Sequence, residues 1–326
     1  MKHEPIRSGP SLLERAAEIY DFSSGALIAP APAVDREPAP APRPEPLLPP
    51  EPVALAPAPA ARPAEPPLPL RKPVQPAGRA PVRRRHVAVD RERLRAAGFV
   101  VPDAGTSALA EELRLVKRQL LLAAAGRTGI AEARRRAILV CSAQPDEGKT
   151  FCALNLALSL AGEQDVEVLL VDGDVAKPEI LSLLGIEDGP GLIDALADPG
   201  ADAEAFVIDT DIDGLSILPA GRQVNNVPEL LASSRTSELL GALAAADPRR
   251  IILIDSPPVL MASPAGILAG HVGQALVVVR ADATTESDLK ETIGLLSACA
   301  HVGLVLNGAG FAASGRRFGH YNGYEP

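Results

Sequence analysis

The sequence predicts an α/β fold in which a mainly parallel sheet is flanked by helices. Short runs of β-branched and aliphatic residues alternate with stretches of helical periodicity, and these runs are apolar throughout. Strands that are apolar on both faces belong to parallel sheets that helices cover on both sides. A region rich in proline and alanine precedes the first run, so the fold is expected to occupy only the later part of the chain.

The first 85 residues differ in composition from the rest. Of the 33 prolines, 21 precede residue 82. Such a region cannot bury enough apolar surface to offset the entropy of ordering it. We therefore predict a short amphipathic segment at 1–29, a disordered linker at 30–85, a folded domain at 86–310 and a flexible tail at 311–326. Within the first segment, residues 11–22 have helical spacing and are expected to dock on a partner or to fold back.

Charge and hydropathy narrow the class of protein. The formal net charge of −9 and the pI near 5.2 argue against a nucleic-acid interface spread over the whole chain. The basic runs at 83–85 and 316–317 are read as solvated, with a partner or membrane-surface role as the alternative. No run of 18 apolar residues and no signal-peptide core is present, so we expect a cytoplasmic protein. The three cysteines lack CxxC spacing and are expected to be reduced and buried.

The elements of the domain are predicted from periodicity. A helix is expected at 107–124 with Ser107 as its N-cap. Strands are predicted at 137–143, 166–172, 215–220, 251–256, 275–280 and 302–307. Further helices are predicted at 150–161, 229–246, 262–269 and 285–300. In such a sheet, ligands bind beyond the carboxyl ends of the strands.

The stretch SAQPDEGKT, residues 142–150, follows the first of these strands and precedes a helix. We call it the phosphate loop. Gly148 permits close approach of the backbone to phosphate, Lys149 adds a positive charge, and Thr150 can place its hydroxyl on Mg²⁺. The fold is therefore expected to be that of a P-loop NTPase.

Three residues of this loop are unusual. Ala143 stands where such loops usually begin with glycine, which is acceptable if its φ is negative. Asp146 and Glu147 are expected to point outward, because a carboxylate facing a triphosphate would be repelled.

Three aspartates follow apolar strands. Asp172 and Asp174 lie in VLLVDGDVAKP, and Asp255 lies in IILIDSPP. A spacing of two puts the first pair on one face if the strand continues that far. Strand-end aspartates are often turn formers or N-caps. Three of them beside a phosphate loop are better explained by Mg²⁺ binding and activation of a nucleophile.

These motifs resemble the Walker A, A′ and B motifs of bacterial tyrosine kinases, the P-loop autokinases of exopolysaccharide and capsule biosynthesis. The resemblance covers residues 107–326, includes PELLASSR at 228–235, and is strongest to the soluble autokinases linked to exosortase loci. The chain departs from the family pattern at Asp146, where many members have Gly, at Lys177, where many have Arg, and at Ser263, where many have an acid.

The resemblance implies an ATP- and Mg²⁺-dependent protein-tyrosine autokinase that regulates exopolysaccharide polymerisation or export. It assigns catalytic roles to Lys149, Asp172 and Asp174, and Mg²⁺ binding to Thr150, Asp172 and Asp255. Nucleotide contacts are implied at Asp146, Glu147, Gly148, Lys149, Thr150, Phe151 and Asn307.

The resemblance also implies how the kinase assembles. Glu111, Arg114 and Lys117 match a stretch that mediates ring assembly, although charges at this spacing are ordinarily just solvated. Lysine in place of the last arginine lacks the bidentate fork, which predicts weaker assembly. The other implied partner is a membrane polysaccharide co-polymerase, through which the chain would lie at the inner membrane.

Three tyrosines are present, at Tyr20, Tyr321 and Tyr324. Two of them lie in the glycine-rich tail, where packing does not explain an aromatic residue. Tyr321 and Tyr324 are therefore predicted phosphoacceptors, with docking on a neighbouring surface as the alternative.

Two other functions remain open from sequence. A partitioning or septum-positioning ATPase has the same broad fold, but usually carries a lysine early in its phosphate loop, and SAQPDEGKT has none before Lys149. A scaffold that binds nucleotide without catalysis would keep the loop and form no phosphotyrosine.

Overall fold

Eight strands form one sheet in the part of the chain that the computed structural model describes, residues 84–101, 107–126 and 130–309. The strands are β1 (Arg85–Val87), β2 (Ala137–Ser142), β3 (Glu167–Asp172), β4 (Ile208–Thr210), β5 (Leu215–Leu218), β6 (Arg250–Asp255), β7 (Gln274–Arg280) and β8 (Val302–Asn307). The predicted segment at 1–29, nearly all of the predicted linker and the tail with its tyrosines lie outside the described residues.

The strand order is β1-β4-β5-β3-β6-β2-β7-β8. All neighbouring pairs are parallel except β4 and β5, which are antiparallel. The predicted α/β class with a mainly parallel sheet is therefore confirmed, as are the six predicted strands. The two strands that the sequence did not predict, β1 and β4, have three residues each, which is too short to give a periodic signal.

Ten α-helices lie among the described residues. They are α1 (Arg91–Ala96), α2 (Ala108–Ala125), α3 (Glu132–Arg135), α4 (Lys149–Ala161), α5 (Ile180–Leu184), α6 (Leu192–Ala197), α7 (Val227–Ala232), α8 (Ser234–Ala246), α9 (Ser263–Ala269) and α10 (Glu286–Leu295). The predicted cap of α2 is confirmed, since the Ser107 hydroxyl accepts from the Ala110 N–H at 3.2 Å. The short helices α1, α3, α5 and α6 were not predicted.

One predicted helix is two helices in the structure. The pattern at 229–246 predicted a continuous helix, but α7 ends at Ala232 and α8 begins at Ser234. Ser233 between them has an extended backbone with ψ 157°, and its hydroxyl donates to the Leu230 carbonyl at 2.6 Å. A serine that bonds to nearby backbone competes with helix continuation, which explains the break.

The apolar core lies on both faces of the sheet. In β2, Ile138 and Val140 pack into one cluster with helices α1, α2, α4 and α5, while Leu139 and Cys141 pack into a second cluster with α6, α8 and α9. This alternation is the two-residue period of a strand, and all six residues of β2 are buried. The central strands are thereby fixed in register, and so are the side chains at their carboxyl ends.

The folded part begins slightly earlier than predicted. Arg85 was placed in the linker, but it is the first residue of β1 and lies opposite Ile208 of β4. Arg84, which was read as part of a solvated basic run, pairs with Glu204 and with Asp209, the latter at 3.0 Å. In the described residues no helix is long and apolar enough to cross a membrane.

Candidate active site

The phosphate loop connects β2 to α4 at the carboxyl edge of the sheet, as the sequence predicted. Gly148 has φ 94°, a left-handed conformation that side chains adopt with strain, and it precedes the first turn of α4. A Cβ at this position would meet the Asn307 side chain at 2.1 Å. The first N–H groups of α4 have no partner within the helix, so they and the helix dipole favour an anion in front of the loop.

Ala143 does not need to be glycine here. It is buried, and among the described non-glycine residues only Asp146 and Asp282 have positive φ. Ala143 therefore does not have a positive φ, so alanine is acceptable at this position, as the sequence analysis required. Asp146 is the residue of the loop that takes the left-handed conformation, with φ 59°.

The two acids of the loop differ in their surroundings. Asp146 is exposed, as expected. Glu147 is only 2% exposed, so its predicted outward orientation is wrong. Its carboxylate accepts a hydrogen bond from the Gln144 N–H at 2.9 Å and another from the Thr284 hydroxyl. These donors stabilise the carboxylate inside the protein, which the argument from repulsion did not take into account.

Lys149 lies beside two of the other predicted site residues. Its Nζ is 3.1 Å from the Asp174 carboxylate and 3.4 Å from the Thr150 hydroxyl. Asp255 interacts with both Lys149 and Thr150. The structure therefore brings the lysine and threonine of the loop together with aspartates from two other motifs.

Asp172 and Asp174 do not share a face. Strand β3 ends at Asp172, so the two-residue alternation does not extend to Asp174. The Asp172 Oδ2 accepts from the Ile180 N–H at 3.3 Å, whereas Asp174 faces Lys149 and also accepts from the Lys177 N–H at 3.2 Å. Their roles are therefore distinct: one carboxylate anchors the start of α5 and the other neutralises the loop lysine.

The residue between them lies close to the neighbouring strand. The Gly173 N–H donates to the Asp255 carbonyl at 2.8 Å, and a Cβ on Gly173 would meet that carbonyl oxygen at 2.6 Å. Glycine at this position allows the second motif to approach the third closely.

Asp172 and Asp255 are neighbours at the ends of adjacent strands. They are partners in the β3–β6 register, and each is 1% exposed. Burial and the nearby Asp255 carboxylate raise the pKa of Asp172 to about 7. Burial raises the pKa of Asp255 to about 7 as well, although Lys149 and the hydrogen bond from Thr150 oppose the shift. Two buried acids side by side favour a bound cation.

The residues present fit a hard divalent cation. Among the described residues, the buried oxygens Asp172 Oδ1 and Asp255 Oδ1 have no hydrogen-bond partner. No group of three or more His, Cys, Asp or Glu side chains in the described ranges is arranged to hold a metal alone. This donor set suits Mg²⁺, which keeps waters and shares nucleotide phosphates with one or two carboxylates.

The resemblance also implied nucleotide contacts at Asn307 and Phe151, and these two residues have different surroundings. Asn307 ends β8 and donates from Nδ2 to the Glu147 carbonyl at 2.9 Å, so it reaches the loop. The Phe151 ring packs against the Phe99 ring with centroids 5.0 Å apart, so the ring belongs to the apolar core.

The predicted assembly residues lie away from this site on α2. Glu111 and Arg114 pair with each other and are about half exposed. Lys117 is largely covered: its Nζ donates to the Ser159 carbonyl at 3.0 Å and pairs with Glu163. Two of the three residues therefore remain at the surface, and the third links α2 to the end of α4.

Two residues that bond to the phosphate loop, Arg280 and Thr284, were not predicted from the sequence. Arg280 Nη1 donates to the Asp146 carbonyl at 2.7 Å, and Thr284 bonds to Glu147. Arg280 ended a predicted strand and Thr284 preceded a predicted helix, but neither belongs to a motif that would have marked it.

Several proteins of known class are similar in sequence to this chain. The tyrosine-protein kinase wzc of Salmonella typhimurium is 33% identical over 193 residues, which is 59% of this chain and 26% of that protein. The tyrosine-protein kinase ptk of Acinetobacter johnsonii is 29% identical over 164 residues, 50% of this chain and 22% of that protein. CapB of Staphylococcus aureus, whose name places it in the same class, is 25% identical over 209 residues, 64% of this chain and 87% of that protein.

Solved structures support the fold. The kinase domain of the Escherichia coli tyrosine kinase ETK aligns with a TM-score of 0.52 at 24% identity, over 70% of this chain and 92% of that one. The chimerical protein CapA2B2 aligns with a TM-score of 0.55 at 23% identity, over 70% of this chain and 95% of that one. At these identities the likeness concerns the fold alone.

No model of a known protein family matches the chain. The chain spans about a quarter of the length of wzc and ptk. Over the parts that align, the chain is similar to bacterial tyrosine kinases.

Proposed function

We propose that the chain is an ATP-dependent protein-tyrosine autokinase that regulates exopolysaccharide polymerisation or export. The observation that carries the proposal is the meeting of Lys149, Thr150, Asp174 and Asp255 in front of a helix N-terminus. Phosphoryl transfer needs positioned positive charge, a metal site and a group that accepts the proton of the attacking hydroxyl. The names of the sequence relatives favour a tyrosine kinase over a partitioning ATPase.

The loop residues bind and orient the nucleotide. The N–H groups at the start of α4 and the Lys149 ammonium would contact the phosphates. Lys149 would exchange its Asp174 partner for phosphate oxygens, because its Nζ is the flexible end of a long side chain. Thr150, Asp172 and Asp255 would hold Mg²⁺, which when bound neutralises charge on the transferred phosphoryl group.

Asp172 and Asp174, the aspartates of the second motif, would provide the group that accepts the proton of the tyrosine hydroxyl. A tyrosine oxygen forms a bond to the γ-phosphorus as the bond to the β-phosphate oxygen breaks, and ADP leaves. The phenolic proton passes to Asp172 or Asp174. Of the two, Asp174 is not assigned to Mg²⁺, and it lies 3.1 Å from Lys149, which would turn to the phosphates.

Tyr321 and Tyr324 are the proposed acceptors, and the proposed partners are other copies of the chain and a membrane co-polymerase of polysaccharide chains. The chain would then lie in the cytoplasm, at the inner membrane through that partner. Glu111 and Arg114 are at the surface and available for assembly into an oligomer. Purification from membranes should enrich a membrane protein with the chain; recovery of the chain without one would count against the partner.

Phosphotyrosine formation tests the proposed activity. The purified full chain is incubated with ATP and Mg²⁺, and phosphate on tyrosine is measured by mass spectrometry. We expect phosphorylation of the tail that disappears when Mg²⁺ is chelated. A chain that hydrolyses ATP and forms no phosphotyrosine would instead be a partitioning-type ATPase, and one that binds ATP without turnover would be a scaffold.

The variant Lys149→Met tests the loop assignment. We expect it to abolish phosphotyrosine and to weaken ATP binding, because the loop otherwise offers only backbone dipoles and the helix N-terminus. Lys290→Met is the matched control, since Lys290 is exposed on α10 and pairs with Glu286. Calorimetry that finds equal ATP affinity in Lys149→Met and wild type would show that the loop is wrongly assigned.

A further inference from the structure

Side chains from the ends of β7 and β8 hold the phosphate loop from outside. Arg280 Nη1 donates to the Asp146 carbonyl at 2.7 Å, and Asn307 Nδ2 donates to the Glu147 carbonyl at 2.9 Å. Arg280 and Asn307 are partners in the β7–β8 register, so the two donors start from neighbouring positions. Both carbonyls are thereby bonded to side-chain donors of the sheet.

The buried Glu147 carboxylate bonds both to the loop backbone and to Thr284. Its Oε2 accepts from the Gln144 N–H at 2.9 Å, which closes the loop on itself. Its Oε1 accepts from the Thr284 hydroxyl, and both oxygens belong to a side chain that is 2% exposed. A carboxylate buried to this degree needs donors on both oxygens, and the described structure supplies one to each.

The direction of the Thr284 bond follows from its other partner. The Thr284 oxygen already accepts from the Arg280 N–H at 2.8 Å. A hydroxyl has one proton to donate, and an ionised carboxylate can only accept. The proton of Thr284 therefore points at Glu147, and a chain of hydrogen bonds runs from the end of β7 through Thr284 and Glu147 to Gln144.

We propose that Glu147 and Thr284 are a positioning pair that keeps the phosphate loop in the shape that accepts a nucleotide polyphosphate. This inference rests on the proposed function, because it takes the loop to be the phosphate site. Neither side chain contacts the nucleotide in this role. Glu147 acts through the Gln144 amide, and Thr284 acts through Glu147.

The physical effect of the pair is preorganisation. A loop whose carbonyls are bonded to side-chain donors keeps a fixed backbone shape, and its free N–H groups can then attract phosphate. Without Thr284, one buried oxygen of Glu147 loses its donor, and the carboxylate gains by turning to water. That movement releases Gln144, so the loop spends less time in the accepting shape. The apparent dissociation constant for nucleotide rises by the inverse of the remaining fraction.

Conservative variants separate the hydroxyl from the rest of the side chain. Thr284→Val removes the hydroxyl and keeps the shape, whereas Thr284→Ser keeps the hydroxyl. Thr292→Val is the matched control: Thr292 lies in α10, is fully buried, and its hydroxyl has no hydrogen-bond partner among the described residues. Glu147→Gln and the double variant with Thr284→Val complete a cycle that measures coupling between the pair.

ATP affinity is measured by calorimetry with Mg²⁺. We expect Thr284→Val to bind ATP about tenfold more weakly, as loss of a hydrogen bond to a charged group allows. Thr284→Ser and Thr292→Val should stay within about twofold of wild type, and the double variant should be no weaker than the weaker single variant. ATP binding by Thr284→Val equal to wild type, or by Thr284→Ser as weak as Thr284→Val, would overturn the proposal.

Hydrogen exchange tests the same pair without nucleotide. The Gln144 amide should exchange slowly in wild type and faster in Thr284→Val, while the amides of β2 stay protected in both. Weaker ATP binding with unchanged Gln144 exchange would show that Thr284 does not act through the loop. A wild type that binds ATP but forms no phosphotyrosine would remove the proposed kinase activity and leave this pair to be judged by these two measurements.

Discussion

Asp146 is a charged residue at a position of the phosphate loop whose left-handed backbone conformation favours glycine. Its φ is 59°, and its side chain is exposed three residues before Lys149, the first residue of α4. We expect a triphosphate bound by the loop to lie close enough to interact with this charge. Asparagine tolerates the left-handed conformation about as well as aspartate, so it can replace the charge without changing the backbone.

We therefore expect Asp146→Asn to bind ATP more tightly than wild type. Removal of one exposed like charge should lower the dissociation constant by roughly two- to fivefold at low salt, with the difference shrinking as salt is added. Titration calorimetry at two ionic strengths measures it. Asp213→Asn is the control, since Asp213 is exposed just before β5, at the amino end of the sheet; equal gains in both variants would mean that net charge, not position, is responsible.

Asp172 and Asp255 make stability depend on pH in the absence of nucleotide and Mg²⁺. Burial raises the pKa of each folded carboxyl to about 7, above the ordinary aspartate value of about 4. Between these values the unfolded chain is ionised while the folded chain keeps the proton. The free energy of unfolding therefore decreases as pH rises from about 4 to about 7.

Asp172→Asn should raise the free energy of unfolding by about 1–3 kcal/mol at pH 8, because it removes a buried charge beside another one. The amide can still accept from the Ile180 N–H, so α5 keeps its anchor. Urea denaturation from pH 5 to pH 8 should show a smaller loss of stability than in wild type. Asp188→Asn, at an exposed carboxylate, should leave the pH dependence unchanged; a slope in Asp172→Asn as steep as in wild type would contradict the expectation.

The residues of the loop and the three aspartates could be predicted because each belongs to a short motif beside an apolar strand. The orientation of Glu147 could not, since its donor Thr284 is 137 residues away in the chain. Repulsion from phosphate predicted an exposed carboxylate, but a distant hydroxyl and a loop amide stabilise it inside. The sequence around Glu147 therefore does not indicate that it pairs with Thr284.

Among the elements, the long ones were predictable and the short ones were not. Strands β2, β3, β6, β7 and β8 have six or seven apolar-rich residues each, enough to show a buried run. Strands β1 and β4 have three residues and depend on each other, because Arg85 to Val87 pair with Ile208 to Thr210. Their formation is decided by tertiary contacts, including the pairing of Arg84 with Asp209.

Two basic residues of helix α2, Lys117 and Arg114, have different surroundings. The Lys117 side chain is 13% exposed and bonds to the last turn of α4 through the Ser159 carbonyl, whereas the Arg114 side chain is 51% exposed and pairs with Glu111 of the same helix. A cation at a helix C-terminus interacts favourably with its dipole and carbonyls.

Lys117→Ala should therefore lower the free energy of unfolding by about 1–2 kcal/mol. Arg114→Ala should change it by less than about 0.5 kcal/mol, as exposed pairs usually do, while weakening the proposed self-association. Thermal denaturation measures the first effect, and light scattering across a concentration series measures the second. Loss of stability in Arg114→Ala with none in Lys117→Ala would reverse this assignment.

At the scale of the whole molecule, the topology gathers the site at one edge. The ends of β2, β3 and β6 supply the loop and the aspartates, and β8 ends at Asn307 against the same loop. Tyr321 follows Asn307 by 14 residues, and a fully extended chain of that length spans roughly 45–50 Å. Such a span allows the tail to reach a neighbouring copy as well as its own site.

We predict that phosphate passes from one subunit to the tail of its neighbour. Each transfer adds about −1.5 to −2 charges to the tail. A tail so charged is repelled by the three aspartates around the receiving site, so it leaves and loosens the assembly. Association and dispersal would then follow the phosphorylation state of the tail.

Mixing two variants tests the direction of transfer. A tagged Lys149→Met chain with intact tyrosines is incubated with an untagged active chain that carries Tyr321→Phe and Tyr324→Phe. Tail phosphate on the tagged chain can come only from the other subunit, and its rate should rise with the concentration of the active chain. Wild type that modifies its tail at a rate independent of dilution, with no phosphate on the tagged chain, would require transfer within one subunit, because a 14-residue connection is also long enough to fold back.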